Sequence, residues 1–214
     1  ILEYARSLKN LKGFLYFSTD EVFGPAPTDR EFKEWDRYNS TNPYSATKAA
    51  AEEICLAYAN TYKLPLLVIH TMNLFGERQY PEKYIPLVIK SLLDQYEVTI
   101  HADSDLETPG SRYYTHCTNL ADATLFLLQN QDWNRDKINI VGEREVNNLE
   151  LAQKISEIVG KPLKYKLVDF HSSRPGHDLR YSLDGRKIKE KGWNHPYSLD
   201  EALEKTVKWY LENP

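Results

Sequence analysis

Two periods of apolar and polar residues succeed one another along this chain, and the changes between them mark its elements. Four short runs are apolar almost throughout and have strand length: Gly13–Ser18 (GFLYFS), Leu66–His70 (LLVIH), Val98–His101 (VTIH) and Lys137–Val141 (KINIV). Continuous rather than alternating runs suit parallel strands covered on both faces. Helical spacing appears over 1–10, 43–62, 81–96, 119–129, 149–159 and 198–211. In 81–96 it sets Ile85, Val88, Ile89, Leu92 and Leu93 on one face. Local signals sharpen these bounds. Asn42 is a natural N-cap and Pro43 a natural first helical residue. Leu64-Pro65 stops that helix, Gly160 closes the one before it, and Ser198-x-x-Glu201 is a capping box. Residues 24–41, rich in Pro, Asp and Asn, read as a surface loop, and Pro109-Gly110 as a turn within polar residues 102–111. Strands alternating with helices predict an α/β fold with a parallel sheet.

Composition narrows the function more than the fold. The 214 residues are 41% hydrophobic and carry a net charge of −4, which suits a globular enzyme and suggests neither a nucleic-acid partner nor an anionic membrane surface. No apolar run approaches membrane-spanning length. Cys55 and Cys117 form no C-x-x-C pair, so a reduced, cytoplasmic setting is expected. The six histidines show no H-x-H or H-E-x-x-H spacing, so no metal site is expected. Ser18 lacks the G-x-S-x-G context of a hydrolase.

Chemistry concentrates in two stretches. Tyr44 and Lys48 are four apart on a helix and so lie on one face. An ammonium beside a phenol favours phenolate and would pull the tyrosine pKa down from about 10 toward neutrality. Such a base can take a proton from a sugar hydroxyl while hydride leaves the same carbon. Upstream, Ser18-Thr19-Asp20-Glu21 stands where the first apolar strand ends, and reactive groups collect at the carboxyl ends of parallel strands. Asp20 and Glu21 would point to opposite faces of a regular strand, so both can serve one substrate only if the strand has already ended.

These stretches resemble an extended short-chain dehydrogenase/reductase of the nucleoside-diphosphate-glucose 4,6-dehydratase type. The matching segments are STDEVFG (18–24), NPYSATKAAAE (42–52), NLFGERQYPEKYIP (73–86) and RPGHDLRYSLDGRKIKEKGW (174–193). The resemblance implies an NAD-binding, Rossmann-type doubly wound parallel sheet with a smaller α/β substrate domain. The first would take 1–76 with 115–142 returning to it, and the second 77–114 and 143–214. It implies NAD as cofactor, contacted by Tyr44, Lys48 and Ser18, and a nucleotide sugar as substrate. Tyr44 would be the base at the C4 hydroxyl, with Lys48 tuning it and Thr19 bonding O4. Asp20 would be the acid at the C6 hydroxyl and Glu21 the base at C5. Asn73, Lys83, Thr99, His101, Arg112, Arg174 and His177 would hold the nucleotide. Relatives continue differently after Arg112, where this chain reads Tyr113-Tyr114-Thr115-His116-Cys117, and many carry Asn where Leu74 stands.

No G-x-G-x-x-G run occurs, and the chain opens at Ile1 inside a helical pattern. The expectation is the C-terminal two-thirds of an enzyme whose activity needs the preceding segment. The helices 1–10 and 43–62 are those that relatives pair into a four-helix bundle, so a homodimer is expected. Two other readings stay open: a sister nucleotide-sugar 4-epimerase or UDP-glucuronate decarboxylase, which do not generally carry the Asp-Glu pair, and a non-catalytic remnant that only binds nucleotide sugar.

Overall fold

A computed structural model describes residues 1–130, 135–170 and 179–213. In chain order its elements are α1 (Leu2–Ser7), β1 (Phe14–Thr19), α2 (Pro43–Tyr62), β2 (Leu66–Thr71), β3 (Asn73–Phe75), α3 (Tyr84–Asp94), β4 (Val98–Ala102), β5 (Ser111–His116), α4 (Cys117–Asn130), β6 (Asp136–Ile140), β7 (Glu145–Asn147), α5 (Asn148–Val159), β8 (Tyr165–Asp169), α6 (Arg186–Glu190) and α7 (Leu199–Glu212). They divide into two compact units: Ile1–Met72 with Asp122–Val141 and Tyr181–Asn194, and Asn73–Ala121 with Gly142–Arg180 and His195–Pro214. No helix among the described residues is long and apolar enough to cross a membrane.

In the first unit β1, β2 and β6 form a wholly parallel sheet in the order β1-β2-β6. Leu66, Leu67, Val68 and Ile69 of the central strand have no exposed surface, which is why that stretch is apolar without alternation. Ala5 of α1 and Cys55, Leu56 and Ala59 of α2 cover Leu66 and Val68. The start of α2 follows from its sequence: Asn42 Oδ1 accepts from the Ser45 amide at 2.9 Å, and Ser45 Oγ accepts from the Asn42 amide at 3.3 Å. The helix ends at Tyr62, where Lys63 turns left-handed at φ 57.

The second unit is mixed. β5 pairs parallel with β3 and antiparallel with β7, while β4 and β8 form a separate parallel pair. Its core joins α3, α5 and α7 through Ile85, Val88 and Ile89, Leu151 and Ile155, and Leu203 and Val207. The capping box at Ser198 and Glu201 forms as expected, and Gly160 closes α5 in the left-handed region.

Several bounds differ from the sequence pattern. α1 stops at Ser7 because Leu8 is already extended. α3 starts at Tyr84 rather than Pro81, since 80–83 make a turn in which the Lys83 amide donates to the Tyr80 carbonyl at 3.0 Å. Strands β3, β5, β7 and β8 and the short α6 were not expected. β5 reads as polar (SRYYTH), yet Tyr114, Thr115 and His116 are all buried, so its polarity lies inside the fold and hides the strand pattern.

Candidate active site

β1 ends at Thr19, and Asp20–Phe23 form one turn of 3-10 helix. Thr19 Oγ1 starts that turn by accepting from the Glu21 amide at 3.4 Å. Gly24 closes it at φ 74, where a side chain would collide with the Asn39 backbone carbonyl, so glycine is required. The turn removes the strand's restriction on neighbouring residues, because successive side chains no longer alternate between two faces. Thr19 Oγ1 donates to Asp20 Oδ1 at 3.0 Å, and Asn42 Nδ2 donates to Glu21 Oε2 at 2.9 Å. One asparagine side chain therefore caps α2 and holds Glu21. The two carboxyls differ in setting: Asp20 is 5% exposed and Glu21 half-buried.

Tyr44, on the first turn of α2, is 55% exposed. Its pKa lies above the ordinary value: partial burial of the ring raises it, the charges of Glu21 and Asp20 raise it further, and the Thr19 hydroxyl pulls it back. The phenol therefore feels the Thr19 hydroxyl and both carboxyls, and Asn42, two residues before it, holds Glu21. Thr19, Asp20, Glu21 and Tyr44 are thus gathered at one end of β1.

Lys48 corrects an expectation. It was to lower the phenol's pKa, but its Nζ crosses the Tyr16 ring, 4.7 Å from the centroid, and donates to the Phe17 carbonyl at 2.5 Å. The backbone acceptor captures the ammonium, and the carboxylates dominate the field at Tyr44. Ser18, expected at the cofactor, turns inward: it is 4% exposed and donates its hydroxyl to Glu52.

Behind the site lies a buried polar cluster that the apolar patterns did not reveal. Ser18, His70 and Asn139 stand in register across β1, β2 and β6. Glu52 of α2 faces this row with no exposed surface, accepting from Ser18 and Tyr38, from His70 Nε2 at 3.1 Å and from Lys137 Nζ at 3.3 Å. Burial alone would raise the Glu52 carboxyl. The His70 ring above all, then Ser18 and Tyr38, overcome that penalty and hold it at about 2. Eight residues separate Tyr44 from Glu52, with Lys48 midway, so one face of α2 meets the end of β1 at three successive turns.

The remaining expected residues lie in the second unit. Asn73 and Lys83 are exposed, Asn73 at the head of β3 and Lys83 just before α3. On β4, Thr99 is exposed and His101 half-buried, its ring edge-on to Phe170 at 5.8 Å. Arg112 donates to the carbonyls of Ser111, at 2.6 Å, and Leu179. Arg174 and His177 lie outside the described residues.

Among the described residues, one trio has the donor types of a metal centre: Glu77, His116 and Cys117, with ligand atoms within 4.8 Å of one another. Its hydrogen bonds oppose that use. His116 Nδ1 accepts the Thr118 amide at 3.2 Å, which places the ring proton on Nε2, directed at Glu77 Oε2 at 3.2 Å. Glu77 Oε1 is also taken by Lys205 at 3.3 Å. The trio reads as an ion-pair and hydrogen-bond cluster.

For NAD the residues fit at one end. Tyr44 is more than half exposed and Lys48 half-buried one turn on, both beside the carboxyl end of a parallel strand, and both can donate to ribose hydroxyls. A glycine-rich turn for the pyrophosphate does not occur in the 214 residues.

Residues 1–141 match the model of the NAD dependent epimerase/dehydratase family. The human dTDP-D-glucose 4,6-dehydratase is 33% identical over 217 residues, covering 100% of this chain and 60% of the human protein. The crystal structure of dTDP-glucose 4,6-dehydratase from Bacillus anthracis in complex with NAD superimposes with a TM-score of 0.83 at 32% identity, over 93% of this chain and 61% of that one. A UDP-glucuronic acid 4-epimerase from Bacillus cereus gives a TM-score of 0.89 over 100% of this chain and 65% of that one, but its 22% identity establishes the fold alone. The chain spans about 60% of the human and Bacillus anthracis dehydratases. With a Rossmann-like α/β fold, the chain belongs to the NAD dependent epimerase/dehydratase family.

Proposed function

We propose that this chain carries the catalytic residues of a nucleoside-diphosphate-glucose 4,6-dehydratase acting on dTDP- or UDP-glucose. The observation that carries the reading is the Tyr44 phenol set among Thr19, Asp20 and Glu21. An epimerase needs a base at one hydroxyl, whereas elimination of water also needs an acid and a second base beside it. In this reading Tyr44 takes the proton of the C4 hydroxyl, and Thr19 holds O4. When bound, NAD supplies the acceptor and afterwards the donor of the hydride. The 4-keto group acidifies the C5 hydrogen, which Glu21 removes while Asp20 gives a proton to the departing C6 hydroxyl. Their settings suit these roles: Glu21 is held by an amide donor, as suits a carboxylate, and Asp20 is withdrawn from water. Lys48 serves the nicotinamide ribose once it leaves the Phe17 carbonyl. Lys83 and Asn73, both exposed, are proposed for the diphosphate and a sugar or phosphate oxygen, with Arg112, Arg174 and His177 also at the nucleotide and Thr99 and His101 at its base.

The test is the mass of the product formed from dTDP- or UDP-glucose by the NAD-loaded, complete protein. Loss of one water is expected. Unchanged mass with an inverted C4 would make it an epimerase. Release of carbon dioxide from UDP-glucuronate would make it a decarboxylase, and binding without turnover a non-catalytic remnant.

A further inference from the structure

The hydrogen bonds around His70 fix its protonation. Asn139 Nδ2 donates to the carbonyls of Phe32 at 3.0 Å and Asp184 at 3.1 Å, so the amide cannot be flipped and its oxygen faces His70. His70 Nδ1, 2.9 Å from that oxygen, must therefore donate. On the other side Nε2 meets Glu52 Oε2, which also accepts from Tyr38 and Lys137. A carboxyl surrounded by so many donors has no reason to carry a proton of its own, so Nε2 donates as well. A ring that donates from both nitrogens is an imidazolium.

The ring's own polar partners are Glu52 on α2 and Asn139 on β6. Beyond them, Ser18 on β1, Lys137 on β6 and Tyr38 from the 24–41 loop bond to Glu52, and Glu34 from the same loop bonds to Asn139. The Phe23 ring meets it edge-on at 4.9 Å. Glu34 accepts from the Asn139 amide at 3.2 Å.

We propose that His70 is a buried imidazolium and a positioning residue: its Nδ1–H anchors the ring on Asn139, its Nε2–H holds Glu52, and Glu52, by accepting from Ser18, sets Thr19, Asp20 and Glu21 against Tyr44. The proposal rests on reading those four residues as one site. It needs no turnover to test, so its failure is separable from failure of the dehydratase reading.

The first readout is the ring nitrogens of His70 by long-range proton–nitrogen NMR. Both protonated is the expected result; one bare nitrogen overturns the proposal, and this measurement needs no variant. The second is the Tyr44 phenol titration by carbon-13 tyrosine NMR, assigned with Tyr44→Phe and compared in His70→Gln. If the ring positions the turn, its loss lets the carboxylates drift from Tyr44, and the midpoint falls by about half a pH unit. Loss of the positive charge acting directly would raise the midpoint. A rise, or no change in a folded His70→Gln protein, overturns the positioning role.

Discussion

Glu52→Ala is expected to lower the melting temperature by about 6–20 °C, the largest loss from any single substitution near the site. The carboxylate has no exposed surface and is the common acceptor for Ser18, Tyr38, His70 and Lys137. Removing one partner of a buried pair leaves the others charged and unsatisfied, which costs about 3–5 kcal/mol. The depressed pKa gives a figure of the same order. A carboxyl held at about 2 against an ordinary 4.5 contributes about 3 kcal/mol. The sign fixes the pH window. Because the folded pKa is the lower one, the contribution is complete above pH 4.5 and is lost as pH falls toward 2. Denaturant melts from pH 7 to pH 2 should show this acid limb in the wild type and a flatter one in Glu52→Ala. Equal stability of the two proteins at pH 7 would contradict the assignment of Glu52 as the hub of the cluster.

Tyr44→Phe is expected to lower kcat of the complete, NAD-loaded protein by about 10²–10⁴, the usual worth of a positioned proton-transfer group, with a much smaller change in KM. Stability should hardly move, because Tyr44 is 55% exposed. The contrast with Glu52 is informative. A residue with large kinetic and small thermal consequences belongs to the chemistry, and one with the reverse profile belongs to its support. Steady-state kinetics alongside a thermal melt would separate them. A kcat within a few-fold of wild type would remove Tyr44 as the base.

Much of this arrangement is legible in the chain. The β1 and β2 runs and the Asn42-Pro43 start of α2 are local signals, set by burial on both faces and by capping, and the structure keeps them to within about one residue. The end of β1 at Thr19 is legible too, since Asp20 and Glu21 can share a target only beyond a strand. The buried cluster is not. His70 closes an apolar run, Lys137 opens another and Glu52 sits among alanines, so periodicity alone reads them as flanking polar residues. Their meaning depends on partners 18, 34 and 85 positions away from each other, which only the register of the sheet brings together. The one available hint was the spacing of Glu52, four after Lys48 and eight after Tyr44, on the face already assigned to chemistry. Lys48 shows the opposite error. Its spacing correctly placed it beside Tyr44 on the helix, but a long, flexible side chain can reach past its neighbour, here to a backbone carbonyl. β5 went unseen because Tyr114, Thr115 and His116 bury polar atoms where a strand pattern looks for apolar ones.

The most direct measurement is the reaction of the complete, NAD-loaded protein with its nucleotide-glucose in deuterium oxide. If Glu21 strips the C5 hydrogen while Asp20 expels the C6 hydroxyl beside Tyr44, the 4-keto-6-deoxy product gains one solvent deuterium, at C5. Glu21→Gln should suppress that label together with water loss. A product that has lost water yet carries no deuterium at C5, or a Glu21→Gln protein that labels and dehydrates as fast as wild type, would contradict the shared site.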